Sequence, residues 1–281
     1  MGKARVAGHP YDPDRVTLFE TLFGALRETI PAPRQASARD ASSAVNLAFF
    51  EAYFSNFIEG TEFSVQEARE IVFEGAIPSE RPEDAHDVLG TFRIVSDIQD
   101  MSTLPTSGKE FQDILRRRHA MLMQARPDKN PGNFKTKVNQ AGNTVFVAPD
   151  LTNGTLERGF EFYLALEEPF QRAVYMMMLV SEVHPFVDGN GRIARIMMNA
   201  ELVAAGQERI IIPTAYRTDY LGALKAFSQN GQCAPSLRML EAAQRYTGMI
   251  DWRSFESANA MLGDSNAFAE GADAKLRVPK V

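Results

Sequence analysis

His184-Pro185-Phe186-Val187-Asp188-Gly189-Asn190-Gly191-Arg192-Ile193-Ala194-Arg195 gathers one imidazole, one carboxylate, two glycines and two guanidiniums into a single short span. Before it, Phe170 to Val183 carries a helical pattern, which Pro185 stops because proline lacks an N–H and biases its neighbour away from helical dihedrals. His184 therefore stands at a helix end. After it, Gly189 and Gly191 open dihedrals closed to other residues, and Ile193, Ile196, Met197, Ala200 and Val203 resume a helical period. The stretch is a loop feeding a second helix, whose unpaired N–H groups and positive dipole end suit phosphate oxygens.

Arg192 and Arg195 lie three apart on one face of that helix, where two guanidinium forks can grip an extended anion. Asp188 would oppose the anion unless a cation lay between them, and Mg²⁺ is typically held by one or two carboxylates together with substrate phosphates. A glycine-rich turn at a helix start also occurs without function, so no single residue decides the reading. The joint arrangement does.

Every specified position of His-x-Phe-x-Asp-Gly-Asn-Gly-Arg-x-x-Arg is filled, and the stretch resembles the motif of the Fic family. The resemblance extends over roughly Gly132 to Leu224. Pro131-Gly132-Asn133-Phe134-Lys135 resembles the approach to that family's flap hairpin, and Tyr220-x-x-Ala223-Leu224 its post-motif helix beside the nucleotide base. It implies an all-α, Fic-type helical bundle with a small β-hairpin flap. It further implies a protein adenylyltransferase moving AMP from ATP, with Mg²⁺, to a Ser, Thr or Tyr hydroxyl of a target protein. Carried over by position, His184 is the catalytic base, Asp188 the metal ligand and Phe186 the buried anchor of the loop. Gly189, Asn190, Gly191, Arg192, Arg195 and Tyr220 form the nucleotide-binding set. A Lys stands at the position of Gly191 in the Doc-like branch, which transfers the γ-phosphoryl group, so glycine favours AMP transfer; phosphocholine and other nucleotide donors stay open.

Ser55-Asn56-Phe57-Ile58-Glu59-Gly60 resembles the inhibitory motif Ser/Thr-x-x-x-Glu-Gly/Asn of self-inhibited Fic enzymes. Its place before the main motif implies the subclass with an N-terminal inhibitory helix, in which Glu59 pairs with Arg195 and Ser55 belongs to the same motif. Two other readings remain open: a phosphodiesterase removing AMP from modified protein, with Glu59 positioning water, and a non-catalytic nucleotide-sensing interaction protein.

The rest of the chain agrees with a globular protein of 281 residues, 44% apolar and 23% charged. No apolar run approaches the roughly 18 residues of a membrane span, and Met1 to Arg5 lack the apolar core of a signal peptide. A cytoplasmic protein without a membrane partner is expected. The single Cys233 excludes an intramolecular disulfide and reads as a small buried hydrophobe. A net charge of −6 gives no reason to expect nucleic acid, and Arg116-Arg117-Arg118 reads as a solvated helix face. A homodimer is left open.

Val16 to Ile30 reads as an N-terminal arm or helix, and helices are expected over Ser42 to Glu59 with Gly60 as its stop, behind a capping box at Ser64-Val65-Gln66-Glu67, over Pro82 to Asp100, and over Phe111 to Gln124 with His119 as a packing or surface residue. Phe134 to Val147 reads as a hairpin turning at Gln140-Ala141-Gly142-Asn143. Helices follow at Thr155 to Leu166, Phe170 to Val183 with Met176-Met177-Met178 as core filler, Thr218 to Gln229, Ser236 to Tyr246 and Trp252 to Leu262. Residues 263 to 281 read as a loose tail. The expected division is an N-terminal helical region over 1–80, a catalytic core over 81–230 and C-terminal helices with the tail over 231–281.

Overall fold

The computed structural model describes residues 8–29, 32–37, 39–271 and 274–278. The Met1 to Arg5 segment lies outside them, as does Ile30. Asp12 caps α1 (Pro13–Arg27), accepting the N–H groups of Asp14 and Arg15, and the helix buries Phe19, Leu22 and Leu26. Asp40 caps α2 (Ala41–Ile58), a helix buried on nearly every side. It stops where Gly60 takes φ +90°, the left-handed role expected of it. The capping box forms between Ser64 and Glu67 at the start of α3 (Val65–Arg69), which widens into a π-turn over Glu70–Glu74.

The single helix expected from Pro82 to Asp100 is two, α4 (Pro82–Ser96) and α5 (Ile98–Met101). Asp97 causes the break: its backbone is extended, and its carboxylate accepts the Asp100 N–H at 3.0 Å, capping a new helix. The next helix, α6 (Gly108–Leu122), is capped by Ser107 and carries Arg118 at 0% exposure. The expectation of a solvated arginine face thus holds for the exposed Arg116 and Arg117 and is corrected at Arg118. Arg118 Nε donates to Asp100 at 2.9 Å and a terminal nitrogen donates to the Thr103 carbonyl at 3.1 Å, while Arg116 covers the Phe134 ring.

The hairpin is present but short, pairing β1 (Gln140–Ala141) with β2 (Thr144–Val145) in antiparallel register, Gln140 opposite Val145. The two-residue turn is Gly142-Asn143, with Gly142 at φ +56°, so Gln140 and Ala141 belong to the strand. The ladder stops because the preceding residues bond elsewhere. The Lys135 N–H donates to the Pro185 carbonyl at 2.8 Å and Asn139 Nδ2 to the Phe186 carbonyl at 2.8 Å, tying the hairpin's first arm to the motif loop.

Helices α7 (Thr152–Leu164), α8 (Pro169–Val183) and α9 (Asn190–Ala204) follow, with α8 and α9 at the centre of the main core. Met176, Met177 and Met178 are all fully buried there, and Cys233 is buried beside the same core. Ile210 to Ile212 cross beneath without joining a sheet, because the Asn199 side chain satisfies both backbone groups of Ile210. The chain then forms α10 (Arg217–Asn230), α11 (Ala234–Thr247) and α12 (Phe255–Asp264). A second, aromatic cluster joins Phe49, Phe50, Tyr53, Phe54 and Phe57 of α2 to Trp252, Phe255 and Phe268. The segment after α12 is therefore not loose where it is described: Ala267 is fully buried, Phe268 stacks on Phe54, and the Arg277 N–H donates to the Ser265 carbonyl at 2.8 Å. No helix among the described residues is long and apolar enough to cross a membrane.

Candidate active site

The motif loop is closed on itself before it meets anything else. His184 ends α8 in the left-handed region at φ +51°, with its N–H still bonded to the Val180 carbonyl at 3.0 Å. The side chain of Asn190 then accepts from the Phe186 N–H and donates to the Phe186 carbonyl, both at 2.9 Å. Asn190 is almost wholly buried, so its side chain braces the loop. The first N–H groups of a helix have no carbonyl within it, and those of Asn190 and Gly191 find no partner among the described residues.

Beneath the loop lies His119, whose part no local pattern in the sequence revealed. Its ring stacks on Phe186 at 3.6 Å between centroids, with 3° between planes. The Gly132 N–H donates to Nδ1 at 2.9 Å, so the proton of the neutral ring is on Nε2, which donates to the Asp188 carbonyl at 3.0 Å. Burial holds its pKa down to about 4. One neutral imidazole thus ties the flap's approach to the motif loop.

Above the loop, a cavity of about 350 Å³ opens between the hairpin, α8, α9 and α10. His184 faces it, stacked on Phe146 at 3.7 Å, with Nδ1 3.3 Å from the Ser181 carbonyl. That contact places the proton on Nδ1 and leaves Nε2 as a lone-pair nitrogen. Burial lowers this pKa also to about 4, so the ring is neutral at physiological pH. At one end of the cavity Arg195 is gripped from three sides: Ser55 Oγ accepts from Nε at 3.0 Å, the Ser55 carbonyl from a terminal nitrogen at 2.8 Å, and Glu59 Oε1 from the same nitrogen at 2.6 Å. Tyr220 stands on the remaining side, its hydroxyl 3.4 Å from the guanidinium. At the other end Glu182 is 3% exposed and lies against Arg15 of α1 and Ser228 of α10. Burial pushes its carboxyl up to about 7, against the pull of Arg15 and Ser228.

Of the residues singled out in the sequence, the cavity brings together Glu59, His184, Gly191, Arg195 and Tyr220. Ser55 reaches it through Arg195, and Phe186 lies fully buried under the loop. Arg192 does not line the cavity. It turns onto Asp87 of α4 at 2.7 Å, with Asn56 Oδ1 at 3.4 Å, so the two motif arginines part company although they share a helix face. Asp188 is 44% exposed at its side chain and accepts the Gly189 N–H at 2.6 Å, which leaves that N–H spent. No cluster of three or more His, Cys, Asp or Glu side chains able to hold a metal occurs among the described residues. Gly191 is sterically constrained: a Cβ there would run into the Glu59 carboxylate.

Residues 110–202 match the Fic/DOC family. The protein adenylyltransferase Fic of Drosophila persimilis is 27% identical over 280 residues, covering 94% of this chain and 54% of the relative, so the chain spans about half the length of that curated relative. Among solved structures, Fic-1 from C. elegans superposes with a TM-score of 0.61 at 20% identity, covering 84% of this chain and 70% of the other. A Fic domain-containing signaling protein from Bacteroides thetaiotaomicron gives 0.61 at 15% identity, covering 92% of this chain and 100% of the other. With the motif complete and the loop braced on Phe186, residues 110–202 carry the match to the Fic/DOC family, and the chain shares the fold of these structures.

Proposed function

We propose that this chain is a protein adenylyltransferase that transfers AMP from ATP to a hydroxyl side chain of a target protein. The observation that carries the reading is one cavity onto which the unprotonated Nε2of a neutral His184, the Arg195 guanidinium and the Cβ-free backbone of Gly191 all open. A target hydroxyl entering beside the hairpin meets His184 Nε2, which takes its proton as the oxygen attacks the α-phosphorus. The new O–P bond forms as the bond to the β-phosphate oxygen breaks, and pyrophosphate leaves. Proton acceptance of this kind is worth about 10²–10⁴-fold. The unpaired N–H groups at the start of α9 receive phosphate oxygens, and Arg195 takes the distal phosphates.

Asp188 fits the part of a Mg²⁺ ligand in one respect: it is a single, half-exposed carboxylate beside the phosphate loop, as expected where substrate phosphates complete the metal's shell. When bound, the metal would neutralise phosphate charge. Arg192 acts at one remove, holding α9 against Asp87 so that Arg195 keeps its aim. The buried single cysteine suits the reducing cytoplasm.

Glu59 occupies the guanidinium that the γ-phosphate needs, so the chain is self-inhibited as it stands. Because Glu59 shares the cavity with His184, hydrolytic removal of AMP is the second reading. Incubating wild type and Glu59→Gly with candidate targets and either α- or γ-labelled ATP tests the proposal. Label from the α-position on protein supports it; label from the γ-position alone, or release of AMP from premodified target without any transfer, overturns it.

A further inference from the structure

The phosphate end of the cavity is marked by Arg195 and Tyr220, and Glu182 lies at the opposite end. Tyr220, Leu224 and Ser228 follow one another at four-residue spacing along the face of α10 that lines the cavity. Eight residues of helix rise about 12 Å, a span comparable to a nucleoside polyphosphate lying along the groove. The middle of the groove is apolar, with Leu221 and Leu224 on one wall and Phe146 on the other. That is a slot for a flat ring, and Glu182 closes it.

Glu182 is an unusual residue to find at such a place. It is 3% exposed near the end of a largely apolar helix, two residues before the catalytic histidine, and a buried carboxylate needs specific partners. Both partners it has are on one oxygen: the Arg15 guanidinium and the Ser228 hydroxyl donate to Oε2. The two donors are themselves linked, Arg15 to Ser228 Oγ at 3.1 Å, and Arg15 also reaches the Val145 carbonyl of β2 at 2.8 Å. Oε2 is thus saturated and fixed in direction. Oε1 has no partner among the described residues, yet it is not sealed away as an orphan. Its side chain is part of the cavity wall.

Resting on the nucleotide-binding reading above, we infer that Glu182 Oε1 is the base-reading acceptor of this site and selects a purine bearing a 6-amino group. A carboxylate with both oxygens free would offer guanine a match for its paired N1–H and N2–H donors. With Oε2 occupied, one acceptor is left, and one amino hydrogen answers it. A 6-oxo base sets a carbonyl oxygen against the same carboxylate, and that repulsion offsets what its neighbouring N1–H could donate. Arg15 and Ser228 act as positioning residues, since they fix the direction of the carboxylate.

The test is direct binding to the wild-type chain at pH 8, where Glu182 is ionised, using diphosphates so that Glu59 need not be displaced from Arg195. ADP, purine riboside diphosphate and IDP are titrated by calorimetry. The expected order is ADP tightest, the unsubstituted purine weaker and IDP weakest, with the loss of a hydrogen bond to a charged group weakening binding by roughly ten- to hundredfold. Glu182→Gln, which can turn an N–H toward a carbonyl, should bring IDP level with ADP or ahead of it. If ADP binds but all three diphosphates bind alike, the inference about Glu182 falls while the nucleotide site stands. If none binds, both fall together. Should Glu182→Gln fail to fold, the order of the three ligands on wild type still decides.

Discussion

Two histidines, one below the motif loop and one above it, share almost every property a search for catalytic residues would use. His119 and His184 each stack face to face on a phenylalanine, at 3.6 and 3.7 Å, and burial holds each down to about 4. They differ in what remains to be bonded. His119 spends one nitrogen on the Gly132 N–H and the other on the Asp188 carbonyl, whereas His184 spends Nδ1 on Ser181 and turns Nε2 to a cavity. A perturbed pKa marks burial, and an unspent nitrogen beside a cavity marks chemistry.

The sharpest way to break this comparison is to remove each ring. His184→Ala should lower AMP transfer by about 10²–10⁴-fold while nucleotide affinity and thermal stability hold nearly level; a variant that still transfers at the parent rate removes His184 from the base role. Those rates are best compared in a Glu59→Gly background, which should itself raise automodification with α-labelled ATP by roughly ten- to hundredfold, since one charged hydrogen bond no longer competes for Arg195. Equal labelling with and without Glu59 would leave Ser55 to Gly60 as a helix terminus only.

His119→Ala should show the opposite profile. It orphans the Gly132 N–H, leaves a cavity against Phe186 and destabilises the chain by about 2–4 kcal/mol in urea. Unchanged stability with lost activity would place His119 in the chemistry after all.

The pH dependence is the finest test. Both rings have folded pKa values below their ordinary 6.5, so their contribution to stability is full above that value and is lost as the pH falls toward 4. Glu182, raised by burial from 4.5 to about 7, opposes them, its contribution being lost as pH rises through that window. Two groups against one predict net destabilisation below pH 6.5, and the transfer rate of Glu59→Gly at saturating ATP, where titration of Glu182 no longer limits binding, should be flat from pH 6 to 8. A rate inflection near 6.5 would mean an exposed His184.

Much of this was legible in the chain because the deciding signals are local. Pro185 fixes where α8 ends, Gly60 where α2 ends, and Gly142 where the hairpin turns. The Glu59–Arg195 ion pair, which joins residues 136 apart, came from two motifs set side by side, not from spacing. What escaped was decided by partners remote in sequence. Arg118 looks solvated until Asp100 is brought against it, Arg192 looks like its neighbour Arg195 until Asp87 claims it, and His119 meets Gly132 and Asp188 only through the fold. The break at Asp97 was missed for a different reason: an Asp inside a helical pattern can as readily start a helix as ride one.

The aromatic row along α2 has a kinetic consequence. With Phe49, Phe50, Tyr53, Phe54 and Phe57 wedged among Trp252, Phe255 and Phe268, the backbone that carries Glu59 is a fixed post, and only the last side chain, one third exposed, is at liberty. Letting go of Arg195 therefore calls for a side-chain rotation that breaks one charged hydrogen bond, not for a movement of the helix. On the inhibitory reading proposed above, Glu59 would then be a latch hung on a rigid post, opened by turning one side chain while the helix that carries it stays in place.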